Sequence, residues 1–368
     1  MVSLSDAKGW RRPAVCLGLM AAANALAFAT WSALLNNFAI EDVAFTGREI
    51  GILQSLREVP GFLAFTAVFC LLFIREQKFA LLALLFMGIG TAATGYFPSE
   101  YGFYLTTMVM SVGFHYFETV NQSLTLQWLP KGQAPHIMGR LLAVGSFATI
   151  AAYGLIFLTW KWLQLDFYLV YLAGGGITIA MAFGIWLTFP QYKEEVVQHK
   201  HLVLRSRYWL YYALTFMSGA RRQIFIVFAG FMMVEKFGFS VPAITAMFLA
   251  NAVFNLFIAP KVGALIVRWG ERRALICEYI GLIGVFVAYA FVTNPWIAVS
   301  LYLIDHAFFA MAIAQKTYFQ KIADPADMAP TAGVAFSINH VAAVGIPVIF
   351  GLIWLKSSAA VFLIGAVM

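Results

Sequence analysis

Two adjacent arginines, Arg221 and Arg222, stand in the middle of an apolar run over 208–234. A guanidinium at that depth of a bilayer costs several kcal/mol unless it is paired or faces a wet cavity, so each is a functional hypothesis by default. Consecutive residues on a helix point about 100° apart. One arginine can therefore face a cavity while the other pairs with a carboxylate such as Glu118 or Glu58. Arginine in a dry site favours planar anions, carboxylate or phosphate, held bidentately, so the chemistry on offer is anion recognition. The alternative is that both arginines are structural counter-ions.

A second constellation runs through 101–128, where Ser111, His115, Glu118, Gln122 and Thr125 recur at intervals of four and three residues and share one helical stripe. Glu118 near midspan can exchange a proton, with His115 one turn earlier as relay. The competing reading is an interhelical hydrogen-bond cluster. Further along, Asp305 and His306 precede Gln315 and Lys316, and Asp305 and Lys316 are eleven residues apart, close to three turns of one face. Asn339 and His340 lie mid-run in 331–355, Asn24 in 13–37, and Arg57 and Glu58 in 49–74, the last two as gate pairs. Asp305, His306, His340 and Glu118 also read as ligands for a transition metal in transit. The histidines lie on separate runs with no HxxxH pair, however, so neither a resident metal nor a cofactor is expected.

The elements that must position these side chains follow from composition. Of 368 residues, 62% are apolar and 11% charged, with a mean hydropathy of +0.82, whereas soluble domains carry about 25% charged residues. At about 20 residues per crossing there is room for some eleven or twelve membrane helices. A β-barrel would read as short alternating segments; the long apolar blocks here require helices. The spans fall at 13–37, 49–74, 79–97, 101–128, 137–160, 166–189, 208–234, 241–267, 274–293, 296–320 and 331–355, with a twelfth beginning near Ser358 that reads as truncated. The first is too long, and lacks a small-residue cleavage site, for a removable signal peptide. Cys16, Cys70 and Cys277 form no CxxC pair or disulfide framework. The net charge of +7 is a topological signal here, and no nucleic-acid partner is expected. Lys8, Arg11, Arg12, Arg75, Lys78, Lys131, Arg140, the basic residues from Lys193 to Arg207, Arg268, Arg272, Arg273 and Lys321 fall on the amino-terminal side. Only Arg48, Lys161, Lys236 and Lys356 lie opposite. The amino terminus is therefore expected in the cytoplasm, as in a bacterial inner-membrane protein.

The polar interval Gln191–Arg207 divides the chain into bundles at 1–190 and 208–368, joined by a cytoplasmic linker at 191–207. A shift of 193 residues lays Gln122 and Gln127 on Gln315 and Gln320, a weak internal repeat. Parallel repeats of this kind occur in secondary transporters. One motif adds to the topology: Gly263, Arg268, Gly270, Arg272 and Arg273 are similar to the cytoplasmic signature of the major facilitator superfamily, with Val267 in place of its Asp. The corresponding first-half stretch, Phe73 to Lys78, lacks the glycines and the acid. The chain thus resembles that superfamily. The resemblance implies an all-α polytopic membrane protein of two six-helix bundles related by pseudo-twofold symmetry. It also implies alternating access, with a cavity lined by spans one, four, seven and ten and gating by the signature residues.

No GxxxxGK[ST], HExxH, GxSxG or dinucleotide fingerprint is present, which argues against an enzyme or an ATP-driven pump. The expectation is a monomeric, proton-coupled secondary transporter of a small anionic solute. Substrate-binding residues would be Arg221, Arg222, Gln122, Asn24, Asn339, His340 and Gln315. Proton coupling would fall to Glu118, His115, Asp305 and His306, and gating to Arg57, Glu58, Gly263, Arg268, Gly270, Arg272 and Arg273. A non-transporting assembly factor or receptor and a metal transporter remain open as alternatives. Single cysteines placed in 191–207 should resist an impermeant thiol reagent added outside sealed cells; efficient labelling from outside would reverse the orientation.

Overall fold

The computed structural model describes residues 9–71, 73–129, 134–163, 165–192, 204–309, 311–322 and 328–368. The linker expected at 191–207 lies largely outside them. The helices are α1 (Pro13–Glu41), α2 (Gly47–Phe62), α3 (Ala67–Cys70), α4 (Glu76–Thr94), α5 (Glu100–Trp128), α6 (Ala134–Leu163) and α7 (Phe167–Thr188). There follow α8 (Trp209–Glu235), α9 (Val241–Trp269), α10 (Glu271–Phe291), α11 (Pro295–Phe309), α12 (Ala312–Ile322), α13 (Met328–Trp354) and α14 (Ser358–Val367). No β-strand forms among the described residues. In hydrocarbon a helix satisfies its own backbone groups, which is why uninterrupted apolar runs become helices.

Seven helical segments among the described residues are long and apolar enough to cross a membrane, in α1, α4, α6, α7, α9, α10 and α13. Absent from that set are α2, which has only 16 residues, and α5 and α8, whose mean hydropathy is lowered by the charged and amide side chains they carry. The span expected at 296–320 is divided between α11 and α12, with residue 310 outside the described residues. The side chain of Lys316 is likewise not described. The expected pairing of Asp305 and Lys316 on one helix face therefore falls outside the described residues.

The chain forms two compact units, one of Met1–Val43 with Val59–His199, the other of Ala44–Glu58 with Lys200–Met368. In the first, α4 packs on α5 and α7, and α1 on α6 and α7. Its core joins Cys16, Leu17 and Met20 of α1 to Leu81 and Leu84 of α4, Phe117 and Val120 of α5 and Ile185 of α7. Polar ties close one end: Gln77 Nε2 donates to the Pro190 carbonyl at 2.9 Å and its Oε1 accepts from Tyr192 N at 3.0 Å, while Tyr192 Oη donates to the Arg11 carbonyl at 2.6 Å.

In the second unit α8 packs on α13, and α10 on α11, α12 and α14. Phe225, Phe228, Phe231, Phe286, Tyr289 and Phe362 are fully enclosed there. The first part of α2 belongs to this unit, where Ser55 Oγ accepts from Val348 N at 3.1 Å. That donor follows Pro347, which interrupts the hydrogen-bond ladder inside α13.

A close helix contact in the first unit runs through Gly175, where an added Cβ would overlap the backbone of Gly88 and Ala92. Small residues let membrane helices approach this closely. Gly175→Leu should lower stability by about 1–3 kcal/mol through overpacking, measured as thermal unfolding of the purified protein. Gly184→Ala, at a glycine where an added methyl would meet no heavy atom within 4 Å, should leave the transition unchanged.

Candidate functional site

Each unit carries polar side chains inside its helices. In the first, α1 brings Asn24 against α5, and Asn24 Nδ2 donates to Glu118 Oε1 at 3.0 Å. Glu118 is exposed on the surface of its unit, whereas Ser111, His115 and Thr125 of the same stripe are buried. The stripe therefore divides. Ser111 Oγ and His115 Nδ1 are 3.0 Å apart, and the same nitrogen is 3.1 Å from the Ser111 carbonyl. The described partner of Glu118 is Asn24 rather than the histidine one turn before it. Phe28 and Phe114 stack beside this pair of helices at 4.8 Å. The side chain of Gln122 lies outside the described residues.

In the second unit the two arginines point different ways, as helix geometry requires. Arg221 is buried and its Nη2 lies 3.3 Å from Glu278 Oε1 on α10, while Arg222 is exposed. The expected partner, Glu118 or Glu58, gives way to Glu278, an acid in an apolar run that helical periodicity did not single out. The signal was present: Glu278 is the one carboxylate within 274–293. The Phe309 ring lies 5.3 Å from the Arg221 guanidinium carbon. Asp305 is fully buried on α11. His306 places Nδ1 2.9 Å from the Tyr302 carbonyl and packs its ring on Tyr302 at 4.2 Å and Phe309 at 5.1 Å.

Around this cluster, Gln315 Nε2 on α12 donates to Thr215 Oγ1 on α8 at 2.9 Å. Asn339 is half-buried on α13 with Oδ1 against Gly219 of α8. His340 is buried with Nε2 3.7 Å from Glu58 Oε2. Arg57 donates from Nε to Gln54 Oε1 at 2.8 Å and pairs with Glu58. This makes a connected polar cluster on α2 and α13 of the second unit.

The signature stretch forms the turn between α9 and α10. Gly270 adopts a φ of 78°, a conformation that glycine reaches without a Cβ penalty, and it caps α10. Arg268, Arg272 and Arg273 are exposed, and the ion pair at this turn is made by Glu271 with Lys321 of α12 at 2.7 Å. The surroundings of Gly263 lie outside the described residues.

The family model of the Major Facilitator Superfamily matches residues 16–347. Among solved structures, the nucleoside transporter NupG (D323A mutant) superposes with a TM-score of 0.80 at 14% identity, covering 96% of each chain. A bacterial homologue of the human lysosomal transporter Spinster, in an inward-facing and unoccupied conformation, has a TM-score of 0.74 at 16% identity, covering 94% of this chain and 82% of its own. A D-xylose-proton symporter has a TM-score of 0.68 at 12% identity, covering 96% of both. No curated protein sequence matches.

Removing one partner of a buried ion pair leaves an uncompensated charge and costs about 3–5 kcal/mol. Arg221→Gln should therefore lower thermal stability strongly at neutral pH, with part of the loss recovered in Arg221→Gln/Glu278→Gln. Arg222→Gln should unfold near the wild-type temperature. Equal losses at both positions would contradict the assignment of one buried and one accessible arginine.

Proposed function

The chain belongs to the major facilitator superfamily of membrane transporters, and from that premise we propose that it is a proton-coupled secondary transporter of a small anionic solute, working by alternating access. The observation that carries the anionic reading is Arg222, exposed in the middle of α8 while its neighbour Arg221 is engaged with Glu278. An arginine that stays accessible inside an apolar helix needs water or an anion there, and its planar fork suits carboxylate or phosphate groups. The solved relatives are named for a nucleoside and for D-xylose; the exposed guanidinium moves the reading for this chain toward a solute bearing negative charge. Glu118, exposed and held by Asn24, supplies a titratable group in the first unit. The signature turn at Gly270 and the Arg57–Glu58 pair are the gating elements in this reading. The distribution of lysine and arginine supports a cytoplasmic amino terminus, as in a bacterial inner-membrane protein.

A non-transporting assembly factor would have little use for charges at such depth, which cost several kcal/mol each to keep. The test begins with a thermal-shift screen of the purified protein against a metabolite library, since a ligand that binds the native state stabilises it by mass action. Carboxylate- or phosphate-bearing solutes should raise the transition, and Arg222→Gln should abolish the shift while Arg222→Lys keeps only part of it. A screen returning only cations or neutral solutes would overturn the anionic reading. In proteoliposomes loaded with the solute so identified, Glu118→Gln should lose accumulation driven by an imposed pH gradient and retain solute exchange; unchanged accumulation would remove Glu118 from coupling.

A further inference from the structure

The seam between α10 and α11 opens on the surface of the second unit as a groove of about 470 Å³. Arg273, Ile276, Cys277, Ile280 and Gly281 of α10 line it together with Phe308 of α11. The α10 positions recur at intervals of three, one, three and one, which makes them a single helical stripe. From Arg273 to Gly281 that stripe runs about 12 Å along the helix axis. Gly281 lets the Phe308 ring close the floor, since an added Cβ there would overlap the ring. Ile276 and Ile280 stay exposed beside it. Apart from the one guanidinium, the lining side chains are apolar, the free Cys277 packing as a small hydrophobe.

Depth and charge together say what covers the groove. Because α10 is long and apolar enough to cross a membrane, its exposed stripe meets lipid chains rather than water. Arg273 stands in the first turn of α10, next to a connection that also exposes Arg268 and Arg272. Glu271, the acid of that connection, is engaged by Lys321 at 2.7 Å, and none of the three arginines has an ion-pair partner among the described residues. One end of an apolar groove therefore carries three uncompensated positive charges, and a basic pocket between membrane helices suits an anionic headgroup. A soluble anion would leave the apolar stripe unused. A second copy of the chain would bring the same three positive charges against these.

We propose that this groove holds one anionic phospholipid, its phosphate on Arg273 and one acyl chain laid along Ile276, Ile280 and Phe308. The guanidinium holds the phosphate by charge-assisted hydrogen bonds, which a compact ammonium would make less well. A zwitterionic lipid brings the same phosphate with an ammonium group attached, and Arg268 and Arg272 repel that second charge. The chain bridges α10 and α11 where Gly281 has brought them close. The site is independent of the transported solute and of what drives its movement.

Native mass spectrometry of the full-length protein in detergent tests it, with phosphatidylglycerol and phosphatidylcholine of matched acyl chains titrated in separately. Wild type should retain one phosphatidylglycerol in preference to phosphatidylcholine. Arg273→Gln should weaken that binding about fivefold, the loss expected for one basic residue at a membrane surface. Cys277→Phe, which fills the groove and leaves all three arginines in place, should abolish the retained lipid. Lys356→Gln, which removes an exposed cation at the other end of the helices, should bind as wild type does. Glycerol phosphate, an anion without acyl chains, should not displace the lipid. Equal retention of the two lipids would overturn the proposal, as would displacement by glycerol phosphate. Wild-type binding in Arg273→Gln would remove the headgroup contact, and wild-type binding in Cys277→Phe would remove the seated chain; either result overturns the site. If Cys277→Phe does not elute as a single folded species, Arg273→Gln alone decides.

Discussion

The cost of placing charge among apolar helices governs the rest of this structure. A bilayer interior offers no water to solvate an ion, so every buried charge must find a partner within the protein or a hydrated surface. Arg221 finds Glu278, and Arg222, one residue later and about 100° around the helix, reaches the exposed surface of its unit. The same demand shapes the α2 segment of the second unit, where Arg57 is held by Gln54 and Glu58, and α5, where Asn24 reaches across to Glu118. Of the helices that bear these residues, α5 and α8 fall short of the apolarity of the spanning segments, whereas α1 and α10 do not.

Much of the fold was legible from the sequence because membrane helices write themselves as long apolar runs. The starts of α1 at Pro13, α9 at Val241 and α11 at Pro295 lie within a few residues of the expected ones, all three with proline in the first turn. Less legible was the junction between α11 and α12, where neither proline nor glycine occurs in Phe308–Ala312 and hydropathy runs on without a mark. The assignment of Ala44–Glu58 to the second unit was also hidden, since it depends on contacts such as Ser55 with Val348, almost three hundred residues apart in the chain.

The site residues were legible by type and not by partner. Arg221, Arg222, Glu118 and Asp305 declare themselves because each is costly where it stands. Periodicity can say that two arginines diverge but not which acid receives one of them, and Glu278 escaped because a single carboxylate near the start of a span resembles an interfacial residue. The stripe of Ser111, His115, Glu118 and Thr125 shows the limit of the helical wheel: shared angular position did not give shared environment, since neighbouring helices cover some of its turns and leave Glu118 open.

The division of labour between the two arginines is the central claim. It is tested most directly in a variant lacking Cys16, Cys70 and Cys277, none of which is disulfide-bonded, by placing one cysteine at 221 or 222 and measuring its reaction with a small charged methanethiosulfonate reagent. Rapid modification of Arg222→Cys and little of Arg221→Cys in the folded protein is the predicted result. Equal rates at the two positions, or faster reaction at 221, would contradict it.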